Sequence, residues 1–117
     1  MKKKVMKKWT AALRSGSYKQ RKGYLSDGGA YCCLGVLCEL APADVRAEHV
    51  AQYKEKYEET LSPAMMKWAD IKDMEGRLPK EYKKKGGSHS ALLTDLNDSG
   101  LSFKQIANII ERNYKEL

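Results

Sequence analysis

The stretch Leu92-Leu93-Thr94-Asp95-Leu96-Asn97-Asp98-Ser99-Gly100-Leu101-Ser102-Phe103-Lys104-Gln105-Ile106-Ala107 carries its own punctuation. Leu92, Leu93 and Leu96 fall on one face of a helix, and Asn97 to Gly100 is a run of turn-forming residues that ends it. Ser102 and Gln105 then stand at capping-box spacing, where each side chain satisfies a backbone amide at the start of a new helix. Phe103, Ile106, Ala107, Ile110 and Tyr114 continue at the helical period, so the segment predicts two helices joined by a tight turn. Leu96 to Ile110 imitates the first two helices of a helix-turn-helix reader. A recognition helix would have to follow, yet Leu117 is the last residue, and the mixed charges of Lys104, Glu111, Arg112, Lys115 and Glu116 do not favour base-specific reading by the second helix itself.

Outward from this pair, the same rules punctuate the rest of the chain. Val5, Met6, Trp9, Ala12 and Leu13 recur at helical spacing among lysines until Ser15-Gly16-Ser17 stops them, which predicts an amphipathic helix with a cationic outer face. Gly23 to Cys32 predicts a small hairpin turning at Asp27-Gly28-Gly29. From Cys33, the residues Leu34, Leu37, Cys38, Leu40 and Ala41 trace a buried helix ended by Pro42, with Gly35 allowing close approach of another backbone or a ligand. Residues 43–60 read as a variable polar insertion, partly helical, with Val45, His49, Val50, Tyr53 and Tyr57 in a loose period and Lys54 to Glu59 a solvated charge cluster. Ser62-Pro63 predicts a capped short helix carrying Met65, Met66 and Trp68 into the core. Met74-Glu75-Gly76 predicts a turn or a very short hairpin, and residues 80–90 a basic, glycine-containing loop. The fold expected is α+β: a compact, mostly helical single domain over 1–117, with one or two small β-hairpins and a C-terminal helix pair.

Composition sets the outer bounds. A chain of 117 residues, 42% hydrophobic and 32% charged, is one domain's worth of protein and too apolar for wholesale disorder. No uncharged apolar stretch approaches a membrane span or an export signal, so a soluble, cytoplasmic protein with no membrane partner is expected. The net charge of +7 hides an asymmetry, because residues 1 to 26 hold nine bases (Lys2, Lys3, Lys4, Lys7, Lys8, Arg14, Lys19, Arg21, Lys22) and no acid. The remainder is slightly acidic, so the basic character belongs to one region, suited to phosphate or to an acidic protein surface. A solubilising lysine-rich face is the alternative.

Cys32, Cys33 and Cys38 are an odd number in an apolar run, which in a reducing compartment predicts buried small hydrophobes rather than disulfides. Their spacing, with His49 or His89 elsewhere, matches no zinc pattern, and no metal or other cofactor is expected.

Three blocks together resemble a family of small bacteriophage and prophage proteins of unknown function. They are Ala11 to Gln20 with Gly23-Tyr24-Leu25, then Tyr31-Cys32-Cys33-Leu34-Gly35-Val36-Leu37-Cys38, then Leu96 to Ala107. The likeness runs from about residue 8 to 40 and from 61 to 114, leaving 43 to 60 peculiar to this chain. A more distant likeness to short actinobacterial proteins, also without an assigned function, is limited to Gln20, the Cys-x-Leu-Gly core at Cys32, Leu34 and Gly35, and the pair Asn97-Asp98. The resemblance implies phage origin, a place in the cytoplasm of the infected or lysogenic host, and an accessory role. It supplies no activity.

Gln20, Cys32, Asn97 and Asp98 come from separate blocks that a fold can gather around one pocket. There Gln20 and Asn97 would present donors and acceptors to an amide or base edge, while Lys19, Arg21 and Lys22 neutralise phosphate. The other reading is architectural: Asn97 and Asp98 satisfy backbone groups of their turn, and Gln20 ties the hairpin to it. An enzymatic alternative, a cysteine-dependent hydrolase or transferase, makes Cys32 or Cys33 a thiolate nucleophile with His89 as base and Asp95 or Asp98 orienting it. A third sets the cationic first helix and Tyr18 or Tyr24 against an acidic host protein. The reading preferred from the sequence is a non-catalytic binder of an anionic partner, a small molecule or an acidic host protein, through Gln20, Arg21, Lys22, Tyr24, Cys32, Asn97 and Asp98. Counter-defence is the role that phage origin suggests, by sequestering a nucleotide-like signal or blocking a host protein. Nonspecific nucleic-acid binding is the further alternative, and self-association is compatible with a binder this small.

Overall fold

A computed structural model describes residues 1–52 and 59–117. The C-terminal pair forms as its punctuation demands. Helix α5 spans Leu93–Asp98 and α6 spans Phe103–Asn113, and both arms of the capping box are made, Gln105 N donating to Ser102 Oγ (3.2 Å) and Ser102 N to Gln105 Oε1 (2.9 Å). Upstream lie α1 (Lys3–Arg14), α2 (Cys33–Leu40), α3 (Ala43–Gln52) and α4 (Pro63–Ala69), the last opened by Ser62 Oγ accepting from Met65 N at 3.2 Å. The long polar stretch is helical over α3, which buries no residue, while Tyr53, Tyr57 and the charged residues 54 to 58 lie outside the described residues.

The core is continuous, and its centre is α2. Cys33, Leu34, Gly35, Val36 and Leu37 are all buried there, meeting Trp9 and Leu13 of α1, Leu61, Met65 of α4, Leu93 and Leu96 of α5, and Ile106 and Ile110 of α6. Apolar area withdrawn from water along these faces is the main stabilising term. Helix α1 lies on α6: the amino group of Met1 donates to the carbonyl of Tyr114 (2.6 Å), and at the other end Arg14 reaches Asn108 (2.9 Å) and pairs with Glu111.

Two small sheets accompany the helices among the described residues. Strands β2 (Ser26–Asp27) and β3 (Ala30–Tyr31) pair antiparallel around Gly28 and Gly29, whose φ of +58° and +81° meet the turn's demand for positive values. The sheet has a third member that the hairpin pattern does not announce: β1 (Lys19–Gln20) runs parallel to β3 in the order β1-β3-β2. Two residues are too few to show a period, so this strand leaves no trace in the sequence.

The second sheet corrects the reading of residues 80–90 as a loop. Strand β4 (Arg77–Lys83) carries the chain through Lys80 and Lys83 and pairs antiparallel with β5 (His89–Leu92). A register irregularity between Arg77 and Tyr82 breaks the alternation that would mark a strand, leaving Leu78 and Tyr82 facing the protein among exposed neighbours. Only residues 84 to 88 turn, closed by Lys84 N donating to the carbonyl of Ser88 at 2.7 Å. Met74 and Glu75 form the turn expected of them, leading from α4 into β4 rather than forming a hairpin of their own.

Gly35 is where α2 meets the first sheet. A Cβ there would lie 1.6 Å from the carbonyl oxygen of Leu25, which accepts from Cys32 N at 3.2 Å, so the close approach anticipated for this glycine is to backbone. Gly35→Ala is expected to cost about 3 kcal/mol or more of stability, because backbone rather than a flexible side chain has to move. A urea midpoint within error of wild type would show that the contact is not tight.

Candidate functional site

The buried carboxamide of Asn97, at the end of α5, is fully enclosed (0% exposed) and makes four hydrogen bonds. Its Oδ1 accepts from Gln20 Nε2 (3.0 Å) and from the backbone N of Cys33 (3.1 Å). Its Nδ2 donates to the carbonyl of Arg21 (2.8 Å) and to Asp98 Oδ1 (3.2 Å). Two lone pairs and two protons are the whole capacity of an amide, and all are used. The second proton of Gln20 Nε2 goes to the carbonyl of Leu101 (2.7 Å), and Asp98 Oδ1 also accepts from Gly23 N (2.9 Å). Three segments distant in sequence thus meet at the α5–α6 turn: β1 with the loop 21–23, the start of α2, and the turn itself.

The structure therefore unites Gln20, Asn97, Asp98 and the backbone of Arg21 and Cys33. What it unites is occupied: no amide donor of Gln20 or Asn97 is left for an incoming anion. Nor is the guanidinium of Arg21 fully exposed as its charge suggested. It is partly buried, paired with Asp27 (2.6 Å), and lies over the ring of Tyr24 at 5.2 Å from the centroid. Lys22 is exposed and Tyr24 is 41% exposed beside it. Tyr18 packs edge-on against Tyr31, ring centroids 5.4 Å apart.

The thiols sit otherwise than a nucleophile requires. Cys32 precedes α2 and is buried; desolvation pushes its thiol up to about 11, although the amides of Gly35 and Leu34 pull the other way. Cys33 is raised well above the ordinary range by burial, and Cys38 is pushed up to about 12 by the same cause. Asp98 also disfavours ionisation of Cys32 and Cys33. Cys33 serves the scaffold, its carbonyl accepting from Trp9 Nε1 at 2.8 Å. His89 is exposed at the far end of β5, paired in register with Lys83, and Asp95 accepts from Ser90 Oγ (2.9 Å), so neither stands with the thiols. Among the described residues, no three His, Cys, Asp or Glu side chains cluster as metal ligands.

A contact no spacing could suggest brings a second basic segment to the same turn. Lys85 N donates to Ser99 Oγ at 3.3 Å, and the Lys85 side chain lies against Gly100. The tip of the β4–β5 hairpin, with Lys83, Lys84 and Lys85, is thereby fixed near residues 98 to 100, to which the loop 21–23 is tied from the other side. Elsewhere, a cavity of about 570 Å³ lies among α2, α3 and α4, lined in part by Leu25, Cys38, Arg46, Val50 and Met65; Arg46 pairs with Glu39 at its rim (3.4 Å). None of Gln20, Asn97 and Asp98 lines it.

The fold and this cluster define a small α+β domain in which one enclosed carboxamide joins the sheet, the central helix and the C-terminal helix pair. The chain belongs to the family described as Domain of unknown function (DUF8296), whose match covers residues 1–114 and so includes 43–60. No curated protein and no solved structure matches it. Among the described residues, no helix is long and apolar enough to cross a membrane.

Two measurements test this account of the cluster. Asn97→Leu keeps the approximate volume but strands the Cys33 amide and the Arg21 carbonyl, so a loss of roughly 3 kcal/mol or more is expected in urea denaturation; a smaller loss than for an exposed asparagine such as Asn108 would refute the hub. With burial pushing the Cys32 thiol up to about 11, it stays almost wholly protonated at pH 8. In native protein Cys32 and Cys33 are expected to resist a thiol-specific disulfide reagent until denatured, whereas Cys38 is only half-buried at the cavity; rapid stoichiometric labelling of Cys32 would contradict the burial argument.

Proposed function

We propose that this is a phage-encoded accessory protein that works in the host cytoplasm without catalysis, binding an anionic macromolecule through exposed lysines. Counter-defence, by obstructing a host component, is the role suggested by the resemblance of its three sequence blocks to phage and prophage proteins. The observation that carries the reading is the distribution of charge on α1. Lys3, Lys4, Lys7 and Lys8 occupy its exposed arc while Val5, Met6, Trp9, Thr10 and Leu13 fill the buried one. Among the described residues no carboxylate pairs with any of those four lysines, whereas Arg14 at the end of the same helix is paired with Glu111. Such a stripe attracts a polyanion from a distance and is screened by salt.

Two features favour this over the other readings. The donors of Gln20 and Asn97 are spent within the fold, which weighs against a nucleotide-like signal held at that cluster. The thiols of Cys32 and Cys33 are buried, which raises their pKa, and His89 stands apart from them, which weighs against cysteine chemistry.

The test replaces Lys3, Lys4, Lys7 and Lys8 by Glu, with circular dichroism melting to verify the fold, and measures retention on immobilised heparin as a generic polyanion. Wild type is expected to bind and to elute with added salt, and the variant to lose affinity by about tenfold or more. Equal retention of a folded variant would remove α1 from the proposal, and a wild type that does not bind at all would end it.

A further inference from the structure

The lysines of α1 do not exhaust the basic surface, and the second part of it is built by the tertiary fold. Lys19 and Lys22 come from the segment bearing β1, and Lys83, Lys84 and Lys85 from the β4–β5 hairpin, more than fifty positions later in the chain. Each segment is fastened to consecutive residues of one turn. Asn97 Nδ2 donates to the Arg21 carbonyl (2.8 Å), Gly23 N to Asp98 Oδ1 (2.9 Å), and Lys85 N to Ser99 Oγ (3.3 Å). The hairpin is held a second time from α6, where Asn113 Nδ2 donates to the hydroxyl of Tyr82 at 2.7 Å.

Resting on the anion-binding reading above, we infer that this composite surface around the α5–α6 turn is a docking site for the phosphate backbone of a nucleic acid, gripped without reading its bases. Lys19, Lys22, Lys83 and Lys85 are exposed and Lys84 half-buried, and none is in an ion pair among the described residues. Of the acids nearby, Asp27 is paired with Arg21 at 2.6 Å, while Asp98 accepts from the neutral donors Gly23 N and Asn97 Nδ2 and keeps its charge, which the five lysines outnumber. Five unpaired ammonium groups held on two fixed supports fit a row of phosphates, for which lysine is a point-charge partner rather than a shape-specific one. Because hydrogen bonds fix the loop and the hairpin in place beforehand, little backbone ordering opposes binding.

Chemistry distinguishes this partner from an acidic protein. A protein interface draws its energy from a dry apolar centre with aromatic anchors. Among the described residues, the large exposed apolar side chains are Tyr24, Val50 and Met74; of these only Tyr24 belongs to the segments that form this surface, and Arg21 lies over its ring. On the helix-turn-helix-like pair the two exposed carboxamides are already used, Gln105 in the capping box and Asn108 on Arg14, which favours backbone contact over base reading.

The experiment titrates full-length protein into a fluorescein-labelled mixed-sequence DNA duplex of about 20 base pairs, and separately into labelled poly-glutamate, between about 50 and 200 mM salt. Three proteins are compared: wild type, the α1 variant described above, and Lys22→Glu/Lys84→Glu/Lys85→Glu. Wild type is expected to bind the duplex at least tenfold more tightly than poly-glutamate, indifferent to duplex sequence. The triple variant is expected to lose about thirtyfold or more and to show a salt slope shallower by about two to three phosphate contacts. Glutamine at the same three positions, which removes charge without reversing it, should give a smaller loss in the same direction and covers the case in which the glutamate variant fails to fold. Duplex binding unchanged in a folded triple variant but lost in the α1 variant would overturn this inference and leave the anion-binding proposal standing. Poly-glutamate binding as tightly as duplex would overturn it in favour of an acidic protein partner, and failure of both probes with wild type would overturn both.

Discussion

The carboxamide of Asn97 is the constraint on which the rest of the structure depends. Burying an amide costs several kcal/mol unless each of its groups finds a partner, and here every one does. Those partners belong to β1, the loop after it, the first amide of α2 and the neighbouring Asp98, so the stability of the buried group requires that these segments arrive together. The Cys33 amide is one of the unpaired donors that every helix N-terminus presents. A side chain from another helix caps it, and α5 is thereby tied to α2 by a directional bond as well as by apolar packing.

Around this point the apolar core closes by fit. Gly35 admits the Leu25 backbone onto α2, and Trp9 fills the space between α1 and α2 while its indole N–H reaches the Cys33 carbonyl. The Cys33 backbone is consequently fixed on both its N–H and its C=O side, by Asn97 and by Trp9. Cysteine suits such a position because it is small and apolar enough to be enclosed, and enclosure is also what raises its pKa and removes it from thiol chemistry. The same burial that makes the scaffold rigid thus decides which chemistry is left to the surface.

That surface is cationic in two places that α6 relates to one another. The start of α1 lies by Tyr114 at the C-terminal end of α6, and the lysines of the loop and hairpin lie by Ser99 and Gly100 at its N-terminal end. The buried arc of α1 keeps its lysines outward without exception. Around the turn none of these lysines is in an ion pair among the described residues: Asp27 is committed to Arg21, and the Asp98 carboxylate is turned to the Gly23 and Asn97 amides.

Local rules carried much of the architecture into view. The capping box at Ser102 and Gln105, the Ser62-Pro63 start, the glycine turn at 28 and 29 and the helical period of the core residues are short-range signals, and each formed as its local physics requires. The bulged strand β4 was hidden because an irregular register erases the alternation by which strands are read, and β1 because two residues have no period. Gln20, Asn97 and Asp98 could be recognised as belonging together, but two outcomes were open to them: an exposed recognition set or an enclosed knot. Only the tertiary structure decided, since the number of partners an amide finds depends on which backbones the fold brings within about 3 Å of it. For the same reason the lysines at 19 to 22 and 83 to 85 were separate runs in the sequence and became neighbours of one turn: charge is written residue by residue, whereas a charged surface is made by the contacts that bring distant segments together.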